Sequence, residues 1–339
     1  MEATFFQVLW YFLIFVLIAG YFVLDGFDLG AGVLYPILAK DESEKSIIRR
    51  SIGPVWDGNE VWLLTAGGAL FAAFAPAYAT TFSGFYLAVM LVLFGLIVRA
   101  VSLEFRAHDP AWARVWDICF FVGSLLPALL LGVAVGNIFA GIPMDAAGDY
   151  AGIPLLGLIT PFTLLTGVLG LVMFLAAGAS WIALKAPKPS ALQERAAKLR
   201  TPLQLASLAL FVVVTVFVFA VVKPEMVAGL GIVRILFAVL IVAALVAAVV
   251  FGAKKNCDLG SFIAQSTGAV SLVGLMATSM FPNLVVASAG SVGPAITLMS
   301  AAAGESTLLW MTVFTVVGLP FVLVYHVLIY RTFRGRVEA

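Results

Sequence analysis

Charge is what this sequence has least of. Of its 339 residues, 63% are hydrophobic and only 11% charged, whereas a soluble domain is roughly half apolar and a quarter charged. A water-soluble globule is excluded on that balance. Cysteine and histidine are nearly missing as well. Cys119 and Cys257 are the only cysteines, far apart and in no CxxC, which excludes a disulfide framework and a thiolate metal site. His108 and His326 are the only histidines. A six-coordinate haem needs a His/His or His/Met pair in one plane of the membrane, and a loop histidine with one near a helix end does not form it; no metal is expected here. No GxxxxGK[ST] occurs, so the chain encodes no nucleotide-driven pump. A net charge of +1 excludes a broadly basic surface for nucleic acid.

What is present is apolar length. Runs of 18 or more apolar residues recur from end to end, each enough to cross about 30 Å of hydrocarbon as a helix. Period-2 alternation is absent, so helices rather than a barrel must satisfy the backbone in lipid. The expectation is an all-α polytopic membrane protein, one integral domain over residues 1–339. Its nine spans fall near 7–37, 54–74, 79–101, 115–139, 157–184, 203–222, 229–252, 260–286 and 307–330. The N-terminal Met1-Glu2-Ala3-Thr4 lacks a positive flank and runs into a stretch too long for a signal peptide, so it reads as a retained span. Sixteen of the nineteen basic residues, from Lys40 and Arg49 to Lys254, Lys255 and Arg336, fall on one side of this arrangement; Lys223 alone falls on the other. The positive-inside rule makes that side the cytoplasm, with the N-terminus outside and the C-terminus inside, as in a bacterial or archaeal cytoplasmic membrane.

Charges inside spans are costly and mark a pathway or a pairing. Span 1 carries Asp25 and Asp28. Span 2 opens with Trp56-Asp57-Gly58-Asn59-Glu60-Val61-Trp62, which puts Asp57 and Glu60 three apart on one helix face. Arg99 and Glu104 close span 3, and Asp117 starts span 4. All fall in one layer near the cytoplasmic face. Two readings stay open: a proton relay, or a static paired network that fixes helix register. For Asp57 with Arg99 the expectation is a structural ion pair. For Asp28, Glu60, Glu104 and Asp117 it is solvation or capping, and Gly26 and Gly30 form a GxxxG that implies close helix packing.

At these residues the chain resembles subunit II of the cytochrome bd-type quinol oxidases, including the cyanide-insensitive forms. The resemblance rests on Asp25-Gly26-Phe27-Asp28-Leu29-Gly30, on Pro54-Val55-Trp56-Asp57-Gly58-Asn59-Glu60-Val61-Trp62-Leu63, and on Phe82-Ser83-Gly84-Phe85-Tyr86. It continues through Arg99, Trp116-Asp117 and Met280-Phe281-Pro282. It implies two four-helix bundles plus one peripheral helix, paired with a haem-bearing subunit I. That partner would hold haems of b and d type, or b alone, and oxidise quinol while reducing O2 to water with cytoplasmic protons. By resemblance Asp25 and Asp57 lie on the proton-delivery route and Arg99 stands beside them. A structural quinone and a small accessory transmembrane subunit are compatible with the resemblance. The rival classes are a stand-alone secondary transporter and a purely structural scaffold.

Overall fold

The computed structural model describes residues 3–224, 228–254 and 256–337. Met1, Glu2 and Lys255, used above for the N-terminal reading and the charge bias, lie outside them. Among the described residues the chain is helical almost throughout, and eight helices are long and apolar enough to cross a membrane. These are α1 (Phe5–Leu38), α5 (Tyr86–Phe105), α6 (Ala113–Ala140), α7 (Pro161–Lys185), α8 (Ala191–Phe217), α9 (Gly231–Ala253), α10 (Asp258–Met280) and α12 (Glu305–Thr332). Between them lie α2 (Glu42–Ile52), α3 (Trp56–Ala73), α4 (Ala75–Gly84) and the one-turn α11 (Leu298–Ala301). The chain is an integral membrane protein.

α8 begins at Ala191 rather than near 203, and α10 ends at Met280 rather than near 286; two further departures from the hydropathy reading have a plain physical reason. α3 is 18 residues long, about 27 Å at the helical rise, but its first turns carry Asp57, Asn59 and Glu60, which pull its mean hydropathy down. The run expected over 79–101 begins instead as α4 and restarts as α5. Pro76 sits in the first turn of α4, where its missing N–H costs nothing, and Phe74 takes a non-helical conformation before it. At the other end of α4, Gly84 lies against the Tyr150 side chain: a Cβ there would come within 2.7 Å of the Tyr150 Cβ.

α1 is the hub. It packs on α3, α6, α7 and α10; α5 pairs with α6, while α7 to α10 pack on one another in succession. The tightest crossing is α1 on α7. A Cβ on Gly30 would lie 1.8 Å from the Phe174 carbonyl oxygen, and one on Gly178 would lie 2.4 Å from the backbone of Ala31. Each helix thus needs the other's glycine; of the expected GxxxG, Gly30 makes the backbone contact and Gly26 faces the ring of Phe174. One turn further, Phe27 stacks on Trp181 with ring centroids 4.2 Å apart.

At the end away from the basic loops, the segments around 140–156 and 283–303 form one cap. Ile142 N–H donates to Val286 O at 3.0 Å and Ser288 N–H to Ile142 O at 2.9 Å. A short antiparallel pair, β1 (Asn283–Val285) and β2 (Ile296–Thr297), completes it. α12 stands apart, none of its most apolar stretch buried. Polar pins hold it: Trp10 Nε1–H donates to Leu308 O and Thr312 Oγ1, and further contacts to α3 follow below.

Candidate functional site

The acids of α1 owe their positions to its inward-facing stripe. Asp25 and Asp28, one turn apart, are both fully buried, as is Arg99 on α5. Arg99 grips Asp25 with both ends of its guanidinium, Nη1 to Oδ2 at 3.0 Å and Nη2 to Oδ1 at 2.5 Å. This corrects the expected pairing: the arginine's partner is Asp25 of α1, and Asp57 is exposed at the start of α3. The spans adjacent in sequence are not the faces that meet. α5 reaches α1 past α6, where Gly95 and Gly123 let α5 and α6 close to backbone contact.

Asp28 is neither solvated nor a cap. Its Oδ2 accepts from Asn59 Nδ2 at 2.7 Å; the same amide donates to Leu24 O at 3.0 Å, and its oxygen accepts from Tyr330 Oη of α12 at 3.0 Å. Asn59 therefore joins α1, α3 and α12 through one side chain. Its motif neighbours explain themselves in the same way. Gly58 leaves room for the Tyr325 ring, which a Cβ would meet at 3.1 Å. Trp62 lies on the bare face of Gly20 and donates its indole N–H to His326 Nε2 at 3.1 Å. His326 Nδ1 bonds Val322 O at 2.9 Å, so both ring nitrogens are engaged within the protein. His108 bonds Glu104 O in an exposed loop. Trp56 and Glu60 are partly buried, Glu104 is exposed, and Glu60 lies within electrostatic reach of Arg99, Asp25 and Asp57.

Three buried polar atoms around this cluster have no hydrogen-bond partner among the described residues: Tyr21 Oη, Asp28 Oδ1 and Arg99 Nε. Such atoms are costly in a dry interior and are normally met by water. A cavity of about 490 Å³ on the basic-loop side, lined by Arg50, Val55, Trp181, Lys185, Tyr330 and Arg336 among others, reaches the Tyr330 end of the chain. The sequence flagged Asn59 only as part of a motif, and it missed Tyr21 and Tyr330. The one available signal for Tyr330 was its spacing of four from His326, which puts both on the α12 face toward α3.

Asp117 also departs from expectation. It is the centre of a network at the basic-loop face, accepting from Arg106 Nε at 2.7 Å, Lys45 Nζ at 2.7 Å and Tyr35 Oη at 2.6 Å. Arg106 bridges on to Glu42 at 2.6 Å, which ties α2 to α5 and α6. Hydrogen bonds from Lys45 and then Arg106 hold the Glu42 carboxyl below its ordinary range, while the bond to Asp117 raises Lys45. No group of three or more His, Cys, Asp and Glu side chains that could hold a metal occurs among the described residues.

A second cavity, about 720 Å³ and almost wholly apolar, lies among α6 to α10. Gly132, Phe162, Met173 and Phe211 line it, with Arg234 and Ser279 near the helix ends opposite the basic loops.

Comparison with known proteins completes the description. The family described as cytochrome bd terminal oxidase subunit II matches residues 6–333. A probable cytochrome oxidase subunit 2 of Haemophilus influenzae is 35% identical over 100% of this chain and 97% of its own length. The cytochrome bd ubiquinol oxidase subunit 2 of Bacillus subtilis is 36% identical over 97% and 96%. The solved bd oxidase of Geobacillus thermodenitrificans contains a chain that superposes with a TM-score of 0.80 at 16% identity, covering 97% of this chain and 99% of that one, a likeness of fold.

Proposed function

The chain belongs to the cytochrome bd terminal oxidase subunit II family, and on that premise we propose that it is the non-haem subunit through which protons from the cytoplasm reach an oxygen-reducing haem in subunit I. In this reading α3 is the ninth span, and α1, α3, α5 and α6 form one four-helix bundle, α7 to α10 the other, with α12 peripheral. The subunit I partner supplies the haems, whose chemistry is electron transfer and O2 reduction. This chain supplies assembly contacts and a polar route.

One observation carries the proposal: the buried Asp25–Arg99 pair and the Asp28–Asn59–Tyr330 chain include polar atoms without a hydrogen bond, Asp28 Oδ1 and Arg99 Nε, and the Tyr330 end of the chain lines a cavity on the basic-loop side. Water continuous from that cavity, or past Asp57 and Glu60, gives protons a path through otherwise apolar helices. Arg99 fixes a positive charge that keeps the site able to accommodate two carboxylates within one helical turn. Asp25 and Asp57 are the acids the family resemblance marks for delivery. Asp28 joins them on geometry, being buried, close to both Asp25 and Arg99, and free at one oxygen.

Asp57 gives the cleanest test. It is exposed and has no ion pair among the described residues, so Asp57→Asn leaves the subunit assembled. Oxygen consumption per haem is expected to fall by about a hundredfold, the lower end of the range for a proton-transferring group, with the haem spectrum unchanged. Near-normal turnover per haem would assign Asp57 to the surface and favour the scaffold reading. Family membership already weighs against a stand-alone transporter.

The orientation has its own test. A reporter active only in the cytoplasm is expected to work when fused after Arg336 and to be silent when inserted near Gly148; the opposite result would place the basic loops outside and overturn cytoplasmic uptake.

The apolar cavity fits a structural quinone. Its walls suit an isoprenoid chain, and Arg234 with Ser279 offers donors for a carbonyl head. Bound there, such a group would brace the α7 to α10 bundle. Small accessory transmembrane subunits would find room on the lipid-facing sides of α9 and α12, which are exposed along much of their length.

A further inference from the structure

A second buried polar core lies among α7 to α10, and the acid cluster does not include it. Arg200, Gln204 and Ser207 follow one another along one face of α8. Ser261 and Gln265 oppose them from α10, and Ser180 adds a hydroxyl from α7. Arg200, Gln204 and Gln265 are no more than 1% exposed. Part of their bonding is complete. Arg200 Nη1 donates to Asp258 Oδ1 at 3.0 Å, Gln204 Nε2 to Ser261 Oγ at 2.9 Å, Ser261 Oγ to Ala248 O at 2.8 Å, and Gln265 Nε2 to Met173 O at 3.4 Å.

The remainder is not. Arg200 Nε, Gln204 Oε1 and Gln265 Oε1 have no partner among the described residues. Two of them converge on Gly252 of α9. The point that a Cβ on Gly252 would occupy lies 3.1 Å from Arg200 Nε, 3.2 Å from Gln204 Oε1 and 3.2 Å from Ser261 Oγ. A glycine at this place leaves its bare face toward one donor, one acceptor and one hydroxyl. The ligand that suits them must accept from the guanidinium and donate to an amide oxygen at once. A halide or other anion without an O–H cannot donate, and a cation would face the charge of Arg200. Water does both.

We propose that this core is a water-binding file, separate from the acid cluster. Water enters from the basic-loop side past Asp258, is held beside Gly252 and again at Gln265, and stops where Met173, Phe211 and Leu245 form an apolar wall. The file holds water and carries no protons. At its mouth Arg200, Arg336 and Lys188 share the single carboxylate of Asp258, at 3.0, 3.3 and 3.9 Å. Together they hold the one acid at the mouth in ion pairs. Beyond Arg200 the file holds only amides and hydroxyls, which offer a proton no resting place.

The test uses the assembled oxidase containing this chain, imaged at a resolution that shows water, together with Gly252→Ala and Gln204→Met. Density is expected within hydrogen-bonding distance of Arg200 Nε and Gln204 Oε1, and separately at Gln265 Oε1. Gly252→Ala puts a methyl where the three polar atoms converge and expels the water. Its melting temperature is expected to drop by about 2 °C or more, although alanine is the better helix former. Turnover per haem in the assembled variant is expected to stay at the parent value. Gln204→Met removes one acceptor and, with water in the site, is expected not to stabilise. Empty density at these atoms, or a rise in melting temperature for either variant, would show a dry site and overturn the proposal. A loss of turnover per haem in assembled Gly252→Ala would overturn its separation from proton delivery. Because Asp57→Asn reads turnover and these variants read stability and density, the two proposals fail independently.

Discussion

Arg99→Leu is expected to remove nearly all assembled complex from the membrane. The substitution leaves Asp25 at 0% exposure with no cation, since the bidentate pair with Arg99 is the only ion pair Asp25 makes among the described residues. Breaking one partner of a buried pair costs about 3–5 kcal/mol, a large fraction of the 5–15 kcal/mol that holds a typical fold together. Asp25→Asn should be nearly as damaging, because it strands the guanidinium instead. The double variant Asp25→Asn with Arg99→Leu leaves no lone charge and is expected to recover a clear part of the assembled yield, measured as haem absorbance in purified membranes. A double variant that assembles no better than the worse single one would mean that the pair does not act as a unit. The same cycle separates two roles of Asp25. Recovered assembly with turnover per haem still deeply reduced is the expected pattern for an acid that also moves protons; recovered assembly with full turnover would leave it a purely structural charge.

Gly30→Val is the second large effect. Ordinary overpacking costs about 1–3 kcal/mol because flexible side chains give way. Here the obstruction is the Phe174 carbonyl oxygen, 1.8 Å from where the first added carbon would lie, and the backbone of α7 cannot yield without moving the helix. Separating α1 from α7 also unstacks Phe27 from Trp181 and loosens the face that buries Asp25 and Asp28. The expected cost is more than about 3 kcal/mol, seen as loss of the subunit from detergent-purified complex and an early thermal transition. Gly68, beside which a Cβ would meet nothing within 4 Å, is the control: Gly68→Ala is expected to leave assembly at the parent level. Equal behaviour of the two variants would mean that the α1–α7 crossing is not what holds the bundles together.

The helices were legible because lipid imposes a length and a polarity on each of them, and both can be read along one dimension. α6, α9 and α12 agree with their expected spans to within two residues at each end. The break between α4 and α5 was harder, since only Gly84 and Phe85 mark it within the run expected over 79–101. That Arg99 meets an acid of another span was also legible, from the order of the spans. Which acid meets which base was not. Depth along a helix says nothing about azimuth, and Arg99 lies equally near the inner ends of helices that carry Asp25 and Asp57. Asp25 wins because α5, α6 and α1 nest through small residues, including Ser124 against Gly32. Asp28 misled for a related reason: its partner Asn59 stands inside a motif that reads as one block, although its side chain bonds two other helices.

The loose seating of α12 has a consequence for synthesis. The hydrogen bond from Tyr330 to Asn59 is one link of the acid cluster, and the helix that brings it is made long after α1 and α3. Until α12 docks, Asn59 and, through it, Asp28 face lipid or an open cleft on that side. Trp62 likewise lacks its acceptor on His326. The polar core is therefore sealed only once α12 has been made, so a chain stalled between α10 and α12 would carry an open, hydrated gap into the membrane and present it to quality control or to a waiting partner subunit.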